Sequence, residues 1–270
     1  MLTDGYTTTD ITGMKAHTIV AALAAVTLGC RAKAQAVIPG GWIAVAPPTG
    51  EEEQRCANWA RDEWSVALSE DSTHLLIRPA GRDTAVESVL TPTGRLISFD
   101  HGEFGGEVWW EPSSGPRQLV AKENLRRFVQ TTTGIWGLAG LAHLTFNSGQ
   151  LIKFEPTRTG WRAVRSASLG AAPRTFLRLG GDTLLVATFG PLLKVVPPKT
   201  VQIIYHSPAW EYTFPISLAR DRAGTIYVGM RSGVARLTPV GNGYRETWLV
   251  QKTCPRRLPT DSLMTCRCVQ

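Results

Sequence analysis

Three observations in the sequence predict an all-β fold of repeated antiparallel units. Short β-rich runs bounded by Gly or Asp turns recur at a near-constant spacing, and helical periodicity is nearly absent after residue 36. The runs expected in the middle of each unit are apolar without alternation. With 43% apolar residues in 270, the chain holds enough core-forming side chains for one large or two small domains.

Four segments share one form: a turn with Gly or Asp, a β-rich run, a connection containing Gly, and a second run. They are Gly94 to Phe99 with Gly106 to Trp110, and Gly134 to Leu138 with Leu141 to Phe146. The third and fourth are Asp182 to Ala187 with Leu192 to Val196, and Gly224 to Gly229 with Gly233 to Leu237. The turn residues are spaced by 40, 48 and 42 positions. A four-stranded propeller blade needs about 40 to 50 residues. A longer fifth copy runs through Gly41 to Val45, Trp64 to Leu68 and His74 to Ile77, with the polar insertion Glu51 to Asn58 inside it. This copy lacks an innermost strand, which another part of the chain would have to supply. Only Ala57 to Ala67 hints at a helical turn or two.

A small twisted sheet is unstable alone, but radial packing of several hides their faces and leaves only short edges. Strands buried on both faces read as continuous apolar runs, as do Leu184 to Ala187, Leu192 to Val196 and Val201 to Tyr205. The expectation is a β-propeller over residues 37–253, most simply of five blades. Six blades, or an irregular β-sandwich, are the alternatives.

The segment from Ile216 to Pro239 resembles the blade repeat of two-component-regulator-type β-propellers. A D-x-x-G turn leads there to an apolar-aromatic-apolar-Gly strand, then a Ser-Gly turn and a return strand. The matching residues are Asp221, Gly224, Ile226, Tyr227, Val228, Gly229, Gly233, Val234 and Leu237. The strong match covers about one blade and a weaker one most of the remaining chain. The resemblance implies a propeller in a periplasmic sensing or binding role, and carries over no ligand and no functional residue.

Met14 and Lys15, an apolar stretch from Thr18 to Gly29, and Ala34-Gln35-Ala36 read as a secretory signal peptide. The apolar run is shorter than the roughly 20 residues of a membrane span. The polar residues 1–13 do not belong before such a signal, which favours Met14 as the start of translation. Residues 1–36 are thus read as an extension plus signal, cleaved after Ala36, and the product as periplasmic or secreted. Leu28-Gly29-Cys30 offers the alternative of lipidation at Cys30, which would anchor the chain to a membrane.

Beyond the signal, Cys56, Cys254, Cys266 and Cys268 form an even set compatible with disulfides in an oxidising compartment. A Cys56–Cys254 bond would tie the ends of a closed ring, leaving residues 254–270 as a Cys-containing tail. Cys266, Cys268 and Met264 fall short of a zinc ligand set. No metal and no cofactor are expected.

The formal charge of +7 is scattered; Arg126-Arg127 and Arg256-Arg257 are the nearest approach to a basic cluster, so nucleic acid is not an expected partner. Asp100, His101 and Glu103 crowd one strand connection and could bind a cation or move a proton. A solvated turn explains them equally. Trp109-Trp110, with Trp210 and Tyr212, could stack on a sugar or a partner protein. One of the adjacent tryptophans should pack between blades, because neighbours in a strand face opposite ways. Arg220 is a candidate anion contact.

Nucleophile elbows, phosphate loops and paired-His zinc motifs are absent from the sequence. The expected function is therefore a non-enzymatic, monomeric binding protein with an unidentified protein or glycan ligand, held by the loop face or the axis. One alternative is a carbohydrate-active propeller, a glycoside hydrolase or lyase, whose carboxylates Asp71, Asp100, Asp182 and Asp221 converge near the axis. A second is an inhibitor or immunity-type partner of an exported enzyme, presenting an aromatic patch around Trp109 or Trp210.

Overall fold

The computed structural model describes residues 34–81 and 86–252. These residues are nearly all β, in five antiparallel sheets. Strand β1 (Trp42–Val45) precedes helix α1 (Glu51–Trp59). Strands β2 (Trp64–Leu68) and β3 (Leu75–Pro79) form a two-stranded sheet. The second sheet comprises β4 (Val86–Thr91), β5 (Gly94–Asp100), β6 (Gly106–Pro112) and β7 (Gln118–Ala121). The third comprises β8 (Leu125–Thr131), β9 (Gly134–His143), β10 (Phe146–Pro156) and β11 (Trp161–Ser168). The fourth comprises β12 (Pro173–Gly180), β13 (Thr183–Thr188), β14 (Pro191–Val196) and β15 (Thr200–His206). After the short helix α2 (Trp210–Thr213), the last sheet comprises β16 (Ser217–Arg220), β17 (Ile226–Met230), β18 (Gly233–Val240) and β19 (Gly243–Gln251).

Each four-stranded meander packs face to face with the next. First strands lie beside first strands, in the succession β4, β8, β12, β16 and β2, while β7, β11, β15 and β19 follow one another at the other margin. Four apolar layers fill the spaces between sheets. Leu96, Val108, Phe128 and Phe154 join the second sheet to the third; Trp136, Leu151, Val186 and Val195 join the third to the fourth. Leu185, Leu192, Trp210 and Val228 continue into the last sheet, and Val66, Leu75, Tyr227 and Leu249 join that to β2 and β3. Strand β13 shows why the apolar runs do not alternate. Leu184 and Val186 enter one layer while Leu185 and Ala187 enter the next, so all four are buried. This face-to-face succession is that of propeller-like repeats.

The repeat read from the sequence corresponds to the second and third strands of each meander. Four details differ. Leu141 to Phe146 is not a separate strand: it spans the end of β9, a two-residue turn and the start of β10. Val201 to Tyr205 is an outermost strand, β15, with Ile203 facing solvent; its apolar character comes from β-branched residues and not from burial. Trp42–Val45 leaves the first copy and pairs with β19, so the N-terminal segment extends the last sheet and the first keeps two strands. The polar insertion is helix α1. Glu51, Glu52 and Glu53 favour its N-terminus, and Glu53 Oε2 accepts hydrogen bonds from Thr49 N (2.9 Å) and Gly50 N (3.2 Å).

Candidate functional site

In a meander, the first-to-second and third-to-fourth turns lie at one end of the strands, the turn end. The second-to-third connections and the crossings to the next sheet lie at the other. A cleft of about 540 Å³ opens at this second end, between the second and third sheets. It is lined by His101 and Phe104 from the β5–β6 connection, Glu123 and Asn124 from the crossing to β8, Phe146 from β10 and Arg165 from β11.

The β5–β6 connection contains a single 3-10 turn, Gly102–Phe104. Asp100 Oδ1 accepts from Gly102 N at 2.8 Å, the local bonding for which Asp is favoured in turns. Its other carboxylate oxygen meets Arg126 at 2.9 Å with the Asp100 side chain buried, so this acid is neutralised inside the fold. Asn124 donates to the Gly102 carbonyl and holds the turn against the crossing. Glu103 pairs with His143 Nδ1 at 2.9 Å, linking the turn to the β9–β10 hairpin. Across the floor, Arg165 donates to Glu123 Oε1 at 2.7 Å.

Apolar side chains stand in water at the rim of this polar frame. Phe104 is 86% exposed, Leu144 92% and Phe146 55%. Leu144 opens the two-residue turn between His143 and Phe146 with φ at +53°. That left-handed conformation suits Gly or Asn and costs a leucine roughly 1–2 kcal/mol. The fold thus holds a large apolar side chain, in a strained conformation, at the most exposed point of the hairpin.

The same end continues as an arginine–aromatic cluster. Arg126 and Arg174 both sit at β-bulges near the starts of the first strands β8 and β12, where a bulge redirects a side chain. The Arg174 guanidinium stands over Phe189 at 5.4 Å and Phe214 at 5.9 Å, and the two rings meet edge to face at 5.4 Å. Arg231 covers Phe214 at 4.4 Å and pairs with Glu63 at 3.0 Å, joining the last sheet to the approach of β2.

The sequence-derived candidates do not all share this site. Asp100, His101 and Glu103 belong to it. Trp110 packs in the layer between the second and third sheets, while Trp109 takes the opposite face under Arg117, at 4.5 Å, with its Nε1 donating to Glu107. Trp210 corrects the expectation of a stacking platform: it is fully buried, with Nε1 donating to Glu246 Oε1 at 2.9 Å. α2 folds it into the core, where its large apolar area outweighs any surface role. Tyr212, on the same helix, is partly exposed. Arg220 lies at the turn end, in a depression of about 380 Å³ with Leu68 and Leu179.

The four aspartates do not converge. Asp71, Asp182 and Asp221 sit at the turn end, opposite Asp100; Asp71 and Asp221 hold their own turns, and Asp182 holds the β8–β9 turn of the neighbouring sheet. Asp71 accepts from Ser69 and Thr73, and those hydrogen bonds hold its carboxyl far below the usual range. Asp182 is lowered by hydrogen bonds from Thr132. Asp221 is buried and accepts from Thr225 N (2.9 Å), Tyr227 Oη (3.1 Å) and Ala36 N (3.0 Å).

Among the described residues no three His, Cys, Asp or Glu side chains converge as metal ligands. Cys56, on α1, is disulfide-bonded. Cys254 and Cys30 lie outside the described residues, as do residues 1–33 and 253–270 as a whole. Sequence reasoning missed Phe104, Leu144, Phe146 and the arginine–aromatic cluster. An aromatic in a glycine turn, Gly102-Glu103-Phe104-Gly105, was the one available signal.

No family model matches the chain, and no curated protein matches it. Solved structures similar to it are β-propeller-like repeat proteins at low identity. Virginiamycin B lyase from Staphylococcus aureus is 11% identical, with 76% of this chain and 73% of that one covered and a TM-score of 0.38. A putative gluconolactonase is 13% identical, with 83% and 87% covered and a TM-score of 0.37. YCF48 bound to D1 peptide is 9% identical, with 79% and 74% covered and a TM-score of 0.36.

Proposed function

We propose that this chain is an exported binding protein. Its five sheets act as propeller blades, of the two-component-regulator type that residues 216–239 resemble, and it engages a partner protein at the cleft end. The observation that carries this reading is the exposed apolar rim of Phe104, Leu144 and Phe146 around a cleft framed by ion pairs. Exposed apolar groups clustered within a polar surround mark interaction surfaces. The strain at Leu144 adds to this, because a costly conformation persists where another requirement holds it. A protein partner suits the site better than a glycan: the rim mixes an aliphatic side chain with two phenyl rings, while Trp210 is buried and Trp109 is covered by Arg117. A periplasmic or extracellular location suits the Cys56 disulfide, for which Cys254 is the proposed partner.

The test is formaldehyde cross-linking in whole cells producing the chain, followed by detection of the chain on a blot. The double variant Phe104→Ser/Phe146→Ser should fold normally and lose at least 90% of the cross-linked species. Unchanged species with the double variant would overturn the cleft end as the binding surface.

A further inference from the structure

We infer that the signal is removed between Ala34 and Gln35, two residues before the site suggested by Ala34-Gln35-Ala36. This rests on the export reading above. Signal cleavage needs small residues at the first and third positions before the cut. Ala34-Gln35-Ala36 satisfies that requirement, and so does Ala32-Lys33-Ala34. The two cuts differ in whether the mature chain keeps Ala36, and the fold makes use of Ala36.

Ala36 is part of the folded core. It is 6% exposed, in the apolar layer with Val66, Leu75, Ala219, Tyr227, Val234 and Leu249. Its backbone N–H donates to the buried Asp221 carboxylate at 3.0 Å, across 185 residues of chain. The next residue continues the attachment: Val37 N donates to Thr73 O at 2.8 Å, and Leu75 N donates to Val37 O at 2.9 Å. A cut after Ala36 would delete the methyl group from the layer, remove one donor from a buried carboxylate and place a new charged amine at the Val37–Thr73 contact. Buried carboxylates deprived of a donor are costly. Ala34 and Gln35 are exposed, and no hydrogen bond of either is observed among the described residues. A cut between them leaves the Asp221 attachment whole and frees Gln35 as the mature N-terminus.

The experiment is to express the chain in a bacterial host, separate periplasm and medium from cytoplasm, and determine the N-terminus by intact mass and N-terminal sequencing. The expected product begins at Gln35, or at its cyclised pyroglutamate form with a blocked terminus. The variant Ala32→Lys, which spoils only the earlier site, should abolish that product. A wild-type product beginning at Val37, an acylated product beginning at Cys30, or a product beginning at Gln35 from Ala32→Lys would each overturn the inference while leaving export intact. A chain retained whole in the cytoplasm would overturn the inference together with the export reading.

Discussion

The two ends of the strands use similar residue types to opposite effect. At the turn end, Asp71, Asp182 and Asp221 satisfy backbone and hydroxyl donors of their own and neighbouring segments, and Asp221 alone ties β16, β17 and the N-terminal segment together. At the cleft end, Glu103, His143, Glu123 and Arg165 pair within reach of water, and Phe104, Leu144 and Phe146 are left uncovered. An acid in a turn therefore says little about chemistry until its partners are known. The informative departure from ordinary folding is the uncovered apolar rim, because nothing in the stability of the fold calls for it.

Five substitutions or titrations probe this contrast. The largest effect is expected from Trp210→Ala, which empties a fully buried site and removes a donor from Glu246. Stability in urea denaturation should fall by about 3–5 kcal/mol, and a loss below about 1 kcal/mol would mean that Trp210 is not core. Asp221→Ala should come next, at roughly 3 kcal/mol or more, since it strands two backbone donors and the Tyr227 hydroxyl in the interior.

The third concerns alkaline pH. Burial, and then the adjoining carboxylates of Asp221 and Glu246, push the Tyr227 and Tyr205 hydroxyls well above their ordinary range. Both stay protonated in the fold at pH values where the unfolded chain ionises, near 10. Their contribution is complete below about pH 10 and is lost as the pH rises beyond it. The urea midpoint should therefore drop between about pH 9 and about pH 11, and drop less in Tyr227→Phe. An equal drop in the variant would remove Tyr227 from the account.

Leu144→Gly provides the opposite sign. Relief of the left-handed leucine should stabilise the chain by up to about 1 kcal/mol while weakening cross-linking to the partner; a destabilised variant would show that Leu144 serves the fold. The smallest effect is expected from Glu103→Gln. This exposed pair with His143 should contribute no more than about 1 kcal/mol, fading in high salt.

Legibility in the sequence tracks burial. The second and third strands of each meander are largely covered on both faces, so Leu184–Ala187 and Leu192–Val196 stand out as apolar runs. First and fourth strands such as β11, with Trp161-Arg162-Ala163-Val164-Arg165, carry a solvated face and short apolar stretches that resemble connections. The departure of β1 to the last sheet depends on pairing across some 200 residues, which local pattern does not encode. At the site, Asp100, His101 and Glu103 were visible as an unusual cluster. Whether an aromatic is buried or exposed was not: Trp210 and Phe104 both follow turn residues, and only packing separates them.

The most direct test of the binding end is site-specific photo-cross-linking in living cells, with a benzophenone side chain at position 146 or, as control, at position 240. Val240 is similarly exposed, at 52%, but lies at the turn end as the last residue of β18, paired with Gly243. A discrete adduct is expected from position 146 and none from position 240. Adducts from position 240 alone, or equally from both, would contradict binding at the cleft end.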